Sequence, residues 1–587
     1  MILRQLLARI FRRDGDPAAT DADLLQRGIH LQSAGDVSGA EADYRNALAV
    51  NPASADAQFL LGSLLGEKAH LDDAERYLRQ ALSSRPGFAD AQTALGNIHL
   101  LRRNNAAAKA CYSAAIVLDP TNVVAHSNLG LACQVLGDHV GALAAFEHAF
   151  ELAPRLPGLI RNLTNERLML EQYAQSESHL LQLLTTRADD YEVILSLADT
   201  LQKTHRPQAA LKYYQRVQTR NSPDPDLLKK LGIAFQDLGR LEEAFDCYSG
   251  AIVAKPGFEL ARWHRTLCCL LRHDFSRGWV DYDLRLLSTD QPPRPAAYPV
   301  WQGGETTRLR LLIYGEQGLG DEIMFASCLP EMIAASQHCV VECADKLLPL
   351  FQRSFPAADV RVTPISEELA IDAQIAMGSL PQYVRRNASD FPRHDGYLQA
   401  DPARIATWRE RLNALGPGPK VGISWQGGTY TTRAPLRSIP LAQWAPLLAL
   451  NGIHFIDMQY TDCAVEIVLV ERSLGVRIHR WDVAREDFEE TAALVAALDL
   501  VVSVCTTVIH LAGALGKPVW VMTPFSPEWR YGYSGEAMPW YPSARLFRQP
   551  AYGQWQPVIA DVAQSLSTWR DRQTDTHNPR TLNRPIP

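Results

Sequence analysis

The sequence predicts a helical solenoid of stacked helix pairs followed by an α/β part of two doubly wound lobes. Three observations carry this. A 34-residue period runs through the first half, with Pro52, Pro86, Pro120 and Pro154 in one phase. The period breaks at a proline-rich stretch, Gln291 to Pro299. Beyond it, short apolar runs end in glycine- or threonine-bearing turns, the pattern of buried parallel strands feeding helices.

At 587 residues the chain is too long for a single core. Its 47% hydrophobic and 21% charged residues fit folded globular domains. A net charge of -7 carries no basic excess and argues against a general nucleic-acid binder. The ten cysteines are scattered without a C-x-x-C framework, so reduced thiols and a cytoplasmic location are expected. No apolar run approaches the length of a membrane span. Residues 1–20 are expected to form a basic amphipathic helix. Over residues 1–13, Ile2, Leu3, Leu6, Leu7, Ile10 and Phe11 share one face and Arg4, Arg9, Arg12 and Arg13 the other. Such a face suits weak peripheral contact with an anionic membrane, but a terminal helix that caps the solenoid or frays in solvent is the favoured reading.

Residues 21–287 form the repeat region. Gly28, Gly62, Gly96, Gly130 and Gly232 keep one phase, Ala40, Ala74, Ala108, Ala142, Ala210 and Ala244 a second, and Tyr44, Tyr112, Phe146, Tyr214 and Tyr248 a third. Small residues belong where two helices cross closely, the aromatic fills the gap to the next pair, and proline stops the second helix. No pair buries its apolar face alone, so stacking makes the core. These residues resemble the tetratricopeptide repeat. The unit from Pro157 to Ala188 carries Thr164 and Ser176 at the small positions, and the last, from Phe258, reads as a degenerate cap. The resemblance implies a polypeptide partner in the groove, where Asn97, Asn128 and Asn162 suit backbone hydrogen bonds. Asp281-Tyr282-Asp283 spells the D-x-D by which some glycosyltransferases hold a metal; its phase is that of a packing helix, and no metal is expected.

Residues 288–308 read as a linker. In 309–400, the first lobe, the run Leu309 to Tyr314 enters Gly315-Glu316-Gln317-Gly318-Leu319-Gly320-Asp321, with a helix expected from Glu322 to Ala335. Residues 401–419 connect to the second lobe, 420–570, with strands at Val421 to Trp425, His454 to Met458, Leu500 to Val504 and Val519 to Met522; 571–587 is expected to be a flexible tail. A cleft between the lobes is the natural ligand site. Thr506 and Thr507 place hydroxyls and free amides at a helix start, where the dipole favours phosphate. Arg433 and Arg437 are placed to neutralise the same group. His510 suits a phosphate or sugar-hydroxyl contact as well as a hydrogen-bonded place within its helix.

Gly318-x-Gly320-Asp321, Arg437-Ser438-Ile439-Pro440 and Ser503-Val504-Cys505-Thr506-Thr507-x-x-His510 together resemble the heptosyltransferase-type (family 9-like) glycosyltransferases of GT-B fold, with two Rossmann-like lobes, from about Trp301 to Trp569. The whole chain looks like bacterial tetratricopeptide-repeat proteins carrying such a domain, and is similar in architecture to protein O-linked N-acetylglucosamine transferases. The resemblance implies inverting, metal-independent transfer from a nucleotide sugar, with no other cofactor. It implies Asp321 as general base, Gly318 and Gly320 in the turn beside the donor, Arg437 at the basic phosphate position, and Thr506, Thr507 and His510 along the donor. The family usually has aspartate where Cys505 stands, which removes a carboxylate that would orient backbone or sugar groups. Two other readings stay open: a catalytically silent scaffold whose α/β part binds nucleotide or caps the solenoid, and, ranked last, a dinucleotide oxidoreductase with Glu342 as ribose partner.

Overall fold

The computed structural model describes residues 20–218, 224–287, 298–364, 369–428 and 434–576. The expected basic N-terminal helix, residues 288–297 of the linker, Arg433 and the tail beyond residue 576 lie outside the described residues. The chain divides into two compact units, Met1–Thr219 and Arg220–Pro587.

The first unit is a run of antiparallel helix pairs, from Asp21–Ser33 with Val37–Val50 to Tyr191–Lys203 with Pro207–Gln218. Polar caps start many of these helices: Asp36, Ser54, Asn104, Asn122, Asp138 and Asp190 each accept an amide of the first turn. The small-residue phase does what sterics demand. A Cβ on Gly28 or Gly96 would stand 2.5 Å from a ring carbon of Tyr44 or Tyr112, and one on Gly130 equally close to Phe146. Leu78 fills the aromatic slot opposite Gly62. Each filler is fully buried, contributing roughly 1.5–3 kcal/mol. Where the glycine phase lapses, Thr164 is buried, and Ser176 is buried against Thr200, their hydroxyls 3.1 Å apart.

A further 34-residue phase lies in the turns. Gly35, Ala69, Arg103, Gly137, Glu171, His205, Gly239 and His273 all take left-handed backbone. This geometry closes each hairpin even where the residue is not glycine, at a cost of about 1 kcal/mol or more per side chain. It persists to His273, so the last, degenerate pair keeps the repeat's backbone after losing most of its side-chain pattern.

The second unit opens with helices Pro225–Asp237, Leu241–Ala254 and Glu259–Leu271, then a short turn of helix, Phe275–Gly278. Two sheets follow. The first has β1 (Arg310–Tyr314), β2 (His338–Cys343), β3 (Asp359–Val362) and β4 (Ala373–Ala376), all parallel, in the order β3-β2-β1-β4. The second has β5 (Lys420–Ser424), β6 (His454–Asp457), β7 (Ile478–His479), β8 (Leu500–Val504), β9 (Val519–Thr523), β10 (Ala537–Met538) and β11 (Tyr541–Arg548), in the order β10-β11-β9-β8-β5-β6-β7. Only the β10–β11 pairing is antiparallel. Strands buried on both faces, such as β5, β8 and β9, read as continuous apolar runs because helices cover both sides.

Three details differ from the sequence reading. The helix expected over Glu322 to Ala335 starts earlier, at Leu319, and is interrupted by a tighter turn at Ala326–Cys328 between Leu319–Phe325 and Leu329–Ala335, where Pro330 lacks the amide that would bond back to Ala326. The 401–419 connection contains a helix, Pro402–Asn413, anchored by Trp408, whose indole donates to Glu490 at 2.7 Å. The last helix, Gln556–Thr576, continues past residue 570. No described helix is long and apolar enough to cross a membrane.

Candidate functional site

In both sheets the strand order reverses beside the first strand. The chain proceeds from β1 to β2 and β3, then returns to the other side of β1 for β4; β5 has β6 on one side and β8 on the other. Loops leaving two such strands diverge to opposite faces, which opens a crevice at their carboxyl ends. Gly315 to Gly320 leave β1, Gly427 and Gly428 leave β5, and Cys505 to Thr507 leave β8.

These loops meet. A Cβ on Gly320 would lie 3.1 Å from His510 Cδ2 and 3.4 Å from Thr507 Oγ1. One on Gly427 would strike the Cys505 carbonyl and the Thr506 methyl at 2.7 Å. Gly428 packs against the Arg437 guanidinium. The helix starts Leu319–Phe325 and Thr507–Ala514 therefore approach each other at Gly320, which has no side chain to hold them apart.

Asp321 sits in the first turn of its helix, where a carboxylate suits the dipole. Arg530 Nη2 donates to its Oδ1 at 2.5 Å. Burial pushes the carboxyl above the usual range, partly opposed by the Arg530 charge; 23% of the side chain stays exposed. Arg530 also pairs with Glu528, and Glu528 Oε1 accepts from Arg437 Nη1 at 2.5 Å. Asp321, Arg530, Glu528 and Arg437 thus form one alternating chain of charges spanning both sheets. Arg437 Nε also donates to the Gly427 carbonyl at 3.3 Å.

Thr506 caps the helix start in extended backbone, its hydroxyl 3.1 Å from that of Ser503. His510 is buried. Its Nδ1 lies 3.0 Å from the Tyr541 hydroxyl, and burial holds the ring neutral, with Arg530 and Arg437 acting in the same direction. Cys505 is buried under Met522, its thiol pushed up to about 12 chiefly by burial, so it supplies no charge in place of a carboxylate. Gly318 caps the Asp321 helix in extended backbone.

Sequence reasoning brought Asp321, Gly320, Arg437, Thr506, Thr507 and His510 to one place. It missed Glu528 and Arg530. Their only local signal is the cluster Glu528-Trp529-Arg530-Tyr531 in a loop after a buried strand, where a tryptophan needs a core to enter. Trp529 finds one: its ring lies 5.6 Å from Trp279 and Tyr282 and 6.1 Å from Trp540. The Asp281-Tyr282-Asp283 segment serves the same packing. Asp281 is paired with Arg262 and Arg265, while Asp283 accepts from Arg285 and Ser379. Glu342 is fully buried on β2. Among the described residues no group of His, Cys, Asp or Glu is placed to hold a metal. In the repeats, Asn128 donates to Asn97 at 2.9 Å. That contact occupies two side chains expected to meet a partner's backbone.

Tetratricopeptide repeat models match residues 31–98, 102–157 and 195–257. Protein FlbA of Caulobacter vibrioides is 30% identical, over 80% of this chain and 89% of that protein. Among solved structures, a tetratricopeptide repeat protein of Parabacteroides merdae is 17% identical, covering 43% of this chain and 99% of its own at a TM-score of 0.35. Pseudomonas aeruginosa PilF is 18% identical, with 41% and 94% covered at a TM-score of 0.30. The repeats mark a protein-interaction module.

Proposed function

The chain belongs to the family of protein FlbA. From the geometry of its two-sheet site we propose that it is a glycosyltransferase of GT-B type, using a nucleotide sugar to modify an acceptor recruited by its repeats. The observation that carries this reading is the single charged network joining Asp321 of the first sheet to Arg437 of the second, beside the helix start at Thr506 and Thr507.

In the proposed step the acceptor oxygen attacks the anomeric carbon from the face opposite the nucleotide. Its proton passes to Asp321, whose raised pKa suits a general base. The bond from the anomeric carbon to the phosphate oxygen breaks with its electron pair, and the configuration inverts. Arg437, with the Thr506 and Thr507 amides and hydroxyls, stabilises the departing phosphate. No metal is invoked, because the D-x-D carboxylates are committed to Arg262, Arg265, Arg285 and Ser379. A polypeptide acceptor follows from the attached repeats.

Asp321→Asn should abolish transfer, a loss of at least about 10²-fold from the missing base, while nucleotide binding persists; full turnover in this variant would remove Asp321 from the role. The silent-scaffold reading draws on one observation, the neutral Cys505 thiol at the family's aspartate position. Turnover with any nucleotide sugar in a donor panel decides against it.

A further inference from the structure

Two arginines from separate loops converge on one carboxylate. Arg437, at the end of the short helix Ala434–Arg437, reaches Oε1 of Glu528, and Arg530 reaches Oε2. Arg530 is also the cation on Asp321. Its Nε is buried without a hydrogen-bond partner, so one of the guanidinium's donors is unspent. Only 13% of the Arg437 side chain and 15% of Arg530 are exposed. Two largely buried guanidinium forks on one bidentate oxyanion is the arrangement by which arginines hold a phosphate. Glu528, 30% exposed, is the most open member of the chain of charges.

The placement is rigid. Trp529, between Glu528 and Arg530, is locked in the aromatic cluster of Trp279, Tyr282, Phe325 and Trp540. Gly532 ends the turn with φ 59°, against His273 of the preceding helical segment. The loop is therefore braced from both sides, and Arg530 has little freedom except at its guanidinium.

We infer that Arg530 is a second phosphate-binding cation of the donor site, and that Glu528 occupies the place of the donor phosphate between Arg530 and Arg437. This rests on the glycosyl-transfer reading and deepens it. A nucleotide phosphate arriving between the two guanidiniums displaces Glu528 toward solvent and draws Arg530 from Asp321. The base is then freed when the leaving group is in place. Arg530 couples the two substrates, and Glu528 competes with the donor for the same cations.

The test is equilibrium binding of nucleoside mono- and diphosphates, with inorganic pyrophosphate as a base-free probe, to the full-length chain and to Arg530→Met, Arg530→Lys and Glu528→Gln, each checked for an unchanged thermal midpoint. Arg530→Met should weaken binding tenfold or more, and Arg530→Lys should recover part of it. Glu528→Gln should tighten binding severalfold by removing the competitor. Which nucleotide series tightens identifies a mono- or diphosphate donor. Wild-type affinity in a folded Arg530→Met variant overturns the assignment and leaves the transfer reading intact. Weakening by Glu528→Gln overturns the competition and makes the pair a structural brace. If the wild-type chain binds none of these probes, the transfer reading falls and this inference with it.

Discussion

The repeat hairpins and the charged cluster between the two sheets both rest on glycines pressed against side chains, but the partners come from different distances along the chain. Gly130 meets Phe146, in the next helix of its own hairpin, and the same pairing recurs at Gly28 with Tyr44 and Gly96 with Tyr112. Gly320 meets His510 and Thr507, from the other sheet. The first arrangement is repeated, local and apolar; the second occurs once and closes only when both sheets are folded. A local, repeated contact defines stability, whereas a single long-range one also defines a site.

The largest expected effects test that division. Phe146→Ala and Trp529→Ala each remove a buried aromatic and should cost about 3–5 kcal/mol. Phe146→Ala should lower the stability of the repeats and leave nucleotide affinity within about twofold, because the cluster it belongs to, which reaches Leu159 and Leu163 of the next pair, stays within the repeats. Trp529→Ala should also weaken nucleotide binding, since Glu528 and Arg530 flank the lost ring. Denaturant unfolding with ligand titration reads both; loss of nucleotide binding in Phe146→Ala, or its retention in Trp529→Ala, breaks the comparison.

How much was legible follows from the same contrast. The hairpins announced themselves because a glycine and its aromatic recur at one spacing. The left-handed turns went unread where Ala69, Arg103, Glu171, His205 and His273 replace glycine, because the backbone there is imposed by the helix pair. Asp321, Arg437 and Thr506 were legible as helix starts and basic loop positions. Arg530 and Glu528 were not, since nothing near them in the chain shows that Trp529 is buried beside Tyr282. Nor did spacing reveal that His510 would spend one nitrogen on Tyr541.

A smaller effect isolates the burden of burying acid beside the glycine turn. Glu322 packs under Gly315, accepts the Ala344 amide at 3.0 Å, and has its carboxyl raised from 4.5 to about 7, first by burial, then by neighbouring Glu316, Asp321 and Glu342. Between those two values the folded chain binds a proton that the unfolded chain has released. The contribution of this group to stability is therefore highest below 4.5, falls as pH rises toward 7 and is level above it. Glu322→Gln keeps an oxygen for the amide and removes the charge. It should raise stability at about pH 8 by up to about 3 kcal/mol and leave it little changed near pH 4. An equal gain at both pH values would show that the effect is packing.

The smallest expected effect concerns Cys505, which stands at the centre of the site in sequence but outside its chemistry. The residue is buried, its sulfur lies 3.9 Å from the Met522 carbonyl, and a thiol pushed up to about 12 is neutral at physiological pH. A neutral, enclosed thiol is neither nucleophile nor anion. The charge that orients Arg437 comes from Glu528. Cys505→Ala should cost about 1 kcal/mol for the small cavity, while nucleotide affinity and any transfer rate stay within about twofold, and the native thiol should resist alkylation until the chain unfolds. Rapid labelling of the folded protein at Cys505, with loss of nucleotide binding, would put the sulfur back into the site and separate this loop from the purely steric role that Gly130 and its counterparts play in the repeats.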